Sequence, residues 1–312
     1  MMGKIRIFKI RGFFMPAWFL CLLFLPLTVL FSEEIKVYPD PFDTKTIVET
    51  GVQEIVFDRA DTAKIVGWKF NDREYILYPD RGHQIAKDTL WSPRRLWLQP
   101  VPYKLIKNNI KGSTVTLEFE GIFDILPFQA SSFAGEGWTI TKTYYIKKDT
   151  PEIAINYTIK NSGKKPRYFS FWLHNWLDFG SEYTLMLPGT KETIIRHLTL
   201  PPEKENLIFP VENAPYTHGN EGFEKEYRLA ETVKEGNFIL YSKKTKTAFF
   251  VKPAYEKLLQ EYTNISEVPT LEFMWQPYVL NPGETWQTKV VISFEENIRE
   301  EDLPGRVARI IP

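Results

Sequence analysis

The residues able to do chemistry gather in two places along the chain. The first is 169–178, FSFWLHNWLD, which sets His174 and Asn175 among Phe169, Phe171, Trp172 and Trp176, with Asp178 at its end. A histidine changes charge near neutral pH, so His174 is suited to giving or taking a proton. The second is Glu272 in the apolar run TLEFMW, 270–275. Both residues carry a second reading: His174 as a core histidine bonded to backbone groups, Glu272 as a solvent-facing residue on an outer sheet surface. His83, His197 and His218 complete a scattered set of four histidines without a His-x-x-x-His spacing, which argues against a metal-dependent hydrolase. His197 and His218 read as surface or loop residues. Arg94 and Arg95 in SPRRLW read as a solvated loop whose side-chain stems pack locally.

Two alternating segments lead into His174. Trp138, Ile140, Lys142, Tyr144 and Ile146 repeat with a period of two, and Ile153, Ile155, Tyr157 and Ile159 repeat the pattern after a turn at 147–151. Asn161-Ser162-Gly163 then turns the chain again. Further short strands are predicted at 52–57, 63–70, 74–78, 113–120, 183–187, 193–198, 225–230, 237–241 and 247–251. Over 270–294 the reading is a strand, a turn built on Asn281-Pro282-Gly283, and a closing strand. Residues 79–109 read as a long irregular segment holding RGHQ (81–84) and SPRRLWLQP (92–100), long enough to suggest a binding loop. Only 254–262, AYEKLLQEY, has helical spacing.

At 312 residues and 43% hydrophobic, with 15% aromatic residues, the chain can bury the core of one large β domain. Its formal net charge is zero, and Lys4, Arg6, Lys9 and Arg11 leave the remainder mildly acidic, so nucleic acid is not an expected partner. Those four charges precede an uncharged run at 13–31, about the length that crosses a hydrocarbon core. Residues 1–32 are therefore read as a signal peptide or transmembrane anchor and 33–50 as an extended tether. The β domain is placed at 51–297 and a C-terminal tail at 298–312. The domain would lie outside the cytoplasm, in the periplasm or at the cell surface, anchored to the membrane by 13–31. The single cysteine, Cys21, falls in the apolar run, so the exported part has no disulfide and must rely on its core.

Taken together, residues 137–179 and PTLEFMWQPYVLNPGETWQTKVVISF resemble the galactose mutarotase-like superfamily, which includes the aldose 1-epimerases, over about residues 50–296. The shared features are a hairpin of long strands, a turn into a histidine followed by aromatics, and a glutamate on a strand shortly before Leu280-Asn281-Pro282-Gly283-Glu284. The resemblance implies a mainly β fold, a large antiparallel β-supersandwich, here with one N-terminal hydrophobic helix. It implies carbohydrate or glycan as ligand and no cofactor or metal, because mutarotation moves only protons. It makes Glu272 the base and His174 the acid. Asp178 would orient the histidine, Trp172, Trp176 and Trp275 would offer faces to a pyranose, and Arg81 or His83 would bind hydroxyls. The nearest counterpart of the early Asn-Arg and glycine-rich histidine motifs of aldose 1-epimerases is Arg81-Gly82-His83-Gln84. The same supersandwich forms the periplasmic domain of YidC-type insertases, where it also follows a membrane helix. No further apolar span follows the last strand, so the alternative is an envelope interaction domain without chemistry, with a protein as partner, rather than an insertase.

Overall fold

Alternating β-branched and aromatic residues become strands, and cross-sheet aromatic contacts hold those strands together. The computed structural model describes residues 34–76, 84–91, 101–123, 137–177, 182–199, 205–214, 228–229, 231–265 and 269–307. Among them the strands form two large sheets. In spatial order the first is β1 (Lys36–Pro39), β2 (Lys45–Glu49), β3 (Gln53–Asp58), β4 (Lys64–Phe70), β6 (Gln84–Trp91), β11 (Arg167–Trp176), β19 (Thr270–Trp275), β18 (Leu258–Ile265), β14 (Glu205–Pro210) and β15 (Arg228–Leu229). Two short strands join it at the side, β5 (Arg73–Glu74) on β4 and β20 (Tyr278–Leu280) on β11. The second sheet is β13 (Ile194–Thr199), β12 (Glu182–Leu187), β16 (Phe238–Ser242), β17 (Thr247–Pro253), β21 (Thr285–Glu296), β10 (Glu152–Asn161), β9 (Trp138–Lys147), β8 (Thr114–Phe123) and β7 (Tyr103–Lys111). Neighbours are antiparallel except β14 and β15, which pair in parallel.

The interior lies between the two sheets. Phe57 of β3 meets Phe119 of β8 and Tyr144 of β9, with ring centroids 5.6 and 4.7 Å apart. Phe171 of β11 meets Tyr157 of β10 at 4.8 Å and Trp286 of β21 at 5.6 Å. Each fully buried aromatic contributes roughly 1.5–3 kcal/mol by leaving water. The turns that ended the predicted strands lock onto each other. Asn161 donates from Nδ2 to the carbonyls of Lys165 and Leu280, each at 2.8 Å, and its own carbonyl accepts from the Gly283 amide. Gly283 has φ +83°, a left-handed value that glycine adopts without strain. Gly137, also at φ +83°, packs so closely on Gly163 that a Cβ would lie 2.6 Å from its Cα.

Four expectations are corrected. Residues 254–262 are not helical: Leu258 to Tyr262 belong to β18, and the pairing of Glu261 and Tyr262 with Phe273 and Glu272 overrides the local helical spacing. The segment read as irregular, 79–109, contains β6 and most of β7, and β6 lies at the centre of the first sheet. The expected tether contains β1 and β2, which pair with each other and, through β2, with β3. The expected tail packs rather than trails, as Ile298, Leu303 and Val307 bury themselves with Met186, Ile239, Tyr241, Ala248 and Phe250 on the outer side of the second sheet. The N-terminal helix expected over 13–31 lies outside the described residues. Among the described residues no helix is long and apolar enough to cross a membrane.

Candidate functional site

Strand β11 sorts its residues by parity. Phe169, Phe171 and Leu173 enter the core between the sheets, so Trp172, His174 and Trp176 lie on the opposite face. On β19 the same rule sends Leu271, Phe273 and Trp275 to the core and Glu272 and Met274 to the face shared with His174. His174 and Glu272 are direct cross-strand partners, and the imidazole Nδ1 lies 2.9 Å from the carboxylate Oε2. Both are buried, at 4% exposure. Trp172 stacks on the imidazole, ring centroids 5.0 Å apart and planes 18° from parallel, and meets Tyr262 edge to face. Ile208 and Met274 complete this small apolar patch.

Pairing across four strands places Lys87, His174, Glu272 and Tyr262 in one row on that face. Lys87 Nζ lies 3.1 Å from Asp61 Oδ2, the same oxygen that Lys64 Nζ approaches to 2.5 Å. Burial works to raise the Asp61 carboxyl, but the hydrogen bond and charge of Lys64, joined by those of Lys87, hold it below the usual value.

The row depends on a bulge. His174 faces Lys87 while Trp176 faces Gln84, so β6 carries one extra residue between them, and Ala86 takes φ +58°. Two buried side chains grip the Ala86 peptide. Its N–H donates to Asn175 Oδ1 at 3.0 Å, and its carbonyl accepts from Lys142 Nζ. Asn175 Nδ2 in turn donates to the Leu271 carbonyl, fastening β19 to the same point. Lys142 is fully buried on the core side of β9, 2.5 Å from Asp88 Oδ1, while the Tyr103 hydroxyl donates to Asp88 Oδ2 at 2.7 Å. On the core side of β18, Glu261 is fully buried and accepts from Thr263 Oγ1 at 2.5 Å. Burial pushes its carboxyl well above the ordinary 4.5; the Thr263 hydrogen bond opposes this, and the charge of Glu272 adds to it.

Of the residues singled out in the sequence, the fold brings Glu272, His174, Trp172 and Trp176 to one face. Trp176 keeps 37% of its surface exposed. Trp275 is corrected: it is fully buried in the core against Phe171 and Trp286, with its Nε1 donating to the Ala254 carbonyl, and offers no face to a ligand. Arg81, His83 and Asp178 lie outside the described residues. Sequence reading missed Lys87 and Tyr262, because β6 was taken for a loop and β18 for a helix. No local alternation marks β6, because the bulge puts Ile85 and Ala86 in the core together. Among the described residues no three His, Cys, Asp or Glu side chains converge as a metal site would require.

No protein-family model matches the chain, and no curated protein matches its sequence. Solved structures do match. A protein from Synechocystis sp. PCC 6803 superposes with a TM-score of 0.59 at 12% identity, over 85% of this chain and 98% of its own. A galactose mutarotase-like protein from Clostridium acetobutylicum gives 0.52 at 8% identity, over 84% and 98%. A galactose mutarotase-like protein from Lactobacillus casei gives 0.51 at 12% identity, over 80% and 100%. The chain therefore has the galactose mutarotase-like fold, a large β-sandwich.

Proposed function

We propose that the face of the first sheet carrying His174 and Glu272 binds carbohydrate and exchanges its anomers. One observation carries the reading: an imidazole and a carboxylate 2.9 Å apart on the non-core face of adjacent strands, beside aromatic rings. The anomeric hydroxyl and the ring oxygen of a sugar hang on one carbon, so an acid and a base on adjacent strands are near enough to serve both. Glu272 takes the anomeric proton while protonated His174 gives one to the ring oxygen; the ring opens to the aldehyde, and closure on the other face returns both protons. Mutarotase-like neighbours support the reading through fold alone. Export, and attachment to the membrane through 13–31, belong to this proposal. They rest on the early basic residues and the uncharged run in the sequence.

A second reading, a binding domain without chemistry, is favoured by the 4% exposure of both groups. Anomer exchange of aldoses followed by NMR decides between them. Acceleration over buffer that is lost in Glu272→Gln and in His174→Ala establishes the enzyme. Sugar binding without acceleration establishes the binding domain.

A further inference from the structure

We propose that the preferred ligand of this face is an acidic sugar, a uronic acid whose carboxylate is met by Lys87. This rests on the carbohydrate reading above and narrows it. Two ammonium groups, Lys64 and Lys87, share a single oxygen of Asp61, at 2.5 and 3.1 Å. The three-residue cluster therefore carries one surplus positive charge. Lys87 is partly open, its side chain 27% exposed, and the register sets it beside His174 on the flank away from Glu272.

The order of groups along the row matches the order of atoms in the ligand. A uronic acid runs anomeric hydroxyl, anomeric carbon, ring oxygen, C5, carboxylate. The sheet runs Glu272, His174, Lys87. A sugar laid with its anomeric hydroxyl at Glu272 and its ring oxygen at His174 directs the C5 substituent toward Lys87. Strands lie about 4.8 Å apart, so Lys87 and Glu272 stand roughly 10 Å apart at the backbone, a span that a pyranose and two inward-reaching side chains fill. A neutral hexose leaves the surplus charge without a counter-ion among the described residues. A carboxylate neutralises it with one charge-assisted contact, whereas a phosphate dianion brings one negative charge too many for the cluster.

The test is an NMR titration of the full-length protein in detergent with glucuronate, galacturonate, glucose, galactose and glucose 6-phosphate, repeated with Lys87→Met and Lys87→Arg. The expected result is at least ~10-fold tighter binding of a uronate than of its neutral counterpart, as one charge-assisted contact supplies. That preference should vanish in Lys87→Met, persist in Lys87→Arg, and shrink as salt is added. Neutral sugars binding as tightly as uronates, or glucose 6-phosphate binding more tightly than glucuronate, overturns this inference and leaves the carbohydrate reading standing. If no sugar binds, the carbohydrate reading itself fails and this one goes with it.

Discussion

Glu272 stands directly across from His174 on a neighbouring strand, and the two side chains meet at 2.9 Å rather than facing each other over an empty gap. The two groups are close enough for a charge on one to act directly on the other. Trp172 lies flat against the imidazole and limits its rotation.

If the pair is catalytic, each single substitution, Glu272→Gln or His174→Ala, should slow anomer exchange by about 10²–10⁴-fold. The double variant should be little slower than either single one, because groups that work as a unit are lost together. Anomer-exchange rates for the three variants check this; losses that multiply would show two independent contributions.

Two tryptophans separate ligand binding from stability. Trp275→Ala empties a fully buried site and should cost about 3–5 kcal/mol in urea unfolding. Trp176→Ala removes a partly exposed ring and should cost under about 1 kcal/mol while weakening sugar binding. Equal stability losses would contradict the placement of one tryptophan in the core and the other on the open face.

The buried Lys142–Asp88 pair should behave as a matched set. Lys142→Met alone strands a carboxylate in the core and should destabilise by roughly 3–5 kcal/mol, whereas Lys142→Met with Asp88→Leu should recover much of that loss. Urea midpoints for the two singles and the double form the cycle that tests it.

Stability should fall with rising pH on account of Glu261. Its folded carboxyl sits well above 4.5, so between that value and its raised one the folded protein binds the proton more tightly than the unfolded chain does. The contribution is fully present below about 4.5 and is lost as pH climbs through the raised value. Glu261→Gln should match the parent near pH 4 and exceed it at pH 8 in urea unfolding. An unchanged pH slope would show that Glu261 ionises freely when folded.

The alternation in 138–147 and 152–161 made β9 and β10 legible, because each strand packs one face on the core and leaves the other toward water. Parity also held the answer for the tryptophans. Trp172 and Trp176 lie an even number of residues from His174 and share its face, while Trp275 lies three from Glu272 and cannot. Strand β6 was not legible. Its Lys87 and Asp88 look like solvated charges until Asp61 and Lys142, distant in sequence, arrive to pair with them. Strand β18 was hidden for a related reason: Glu261 and Tyr262 are set by their pairing with β19, which a local window does not contain.

The grip on the Ala86 peptide means that the His174–Glu272 pair is not a portable motif. Asn175 reaches that peptide from the same strand as His174, and Lys142 reaches it through the interior from the other sheet. Grafting only the histidine and glutamate onto another sandwich would carry the two side chains without the bulge that aligns Lys87 beside them. A graft that keeps the aligned row therefore has to carry β6, β9, β11 and β19 together.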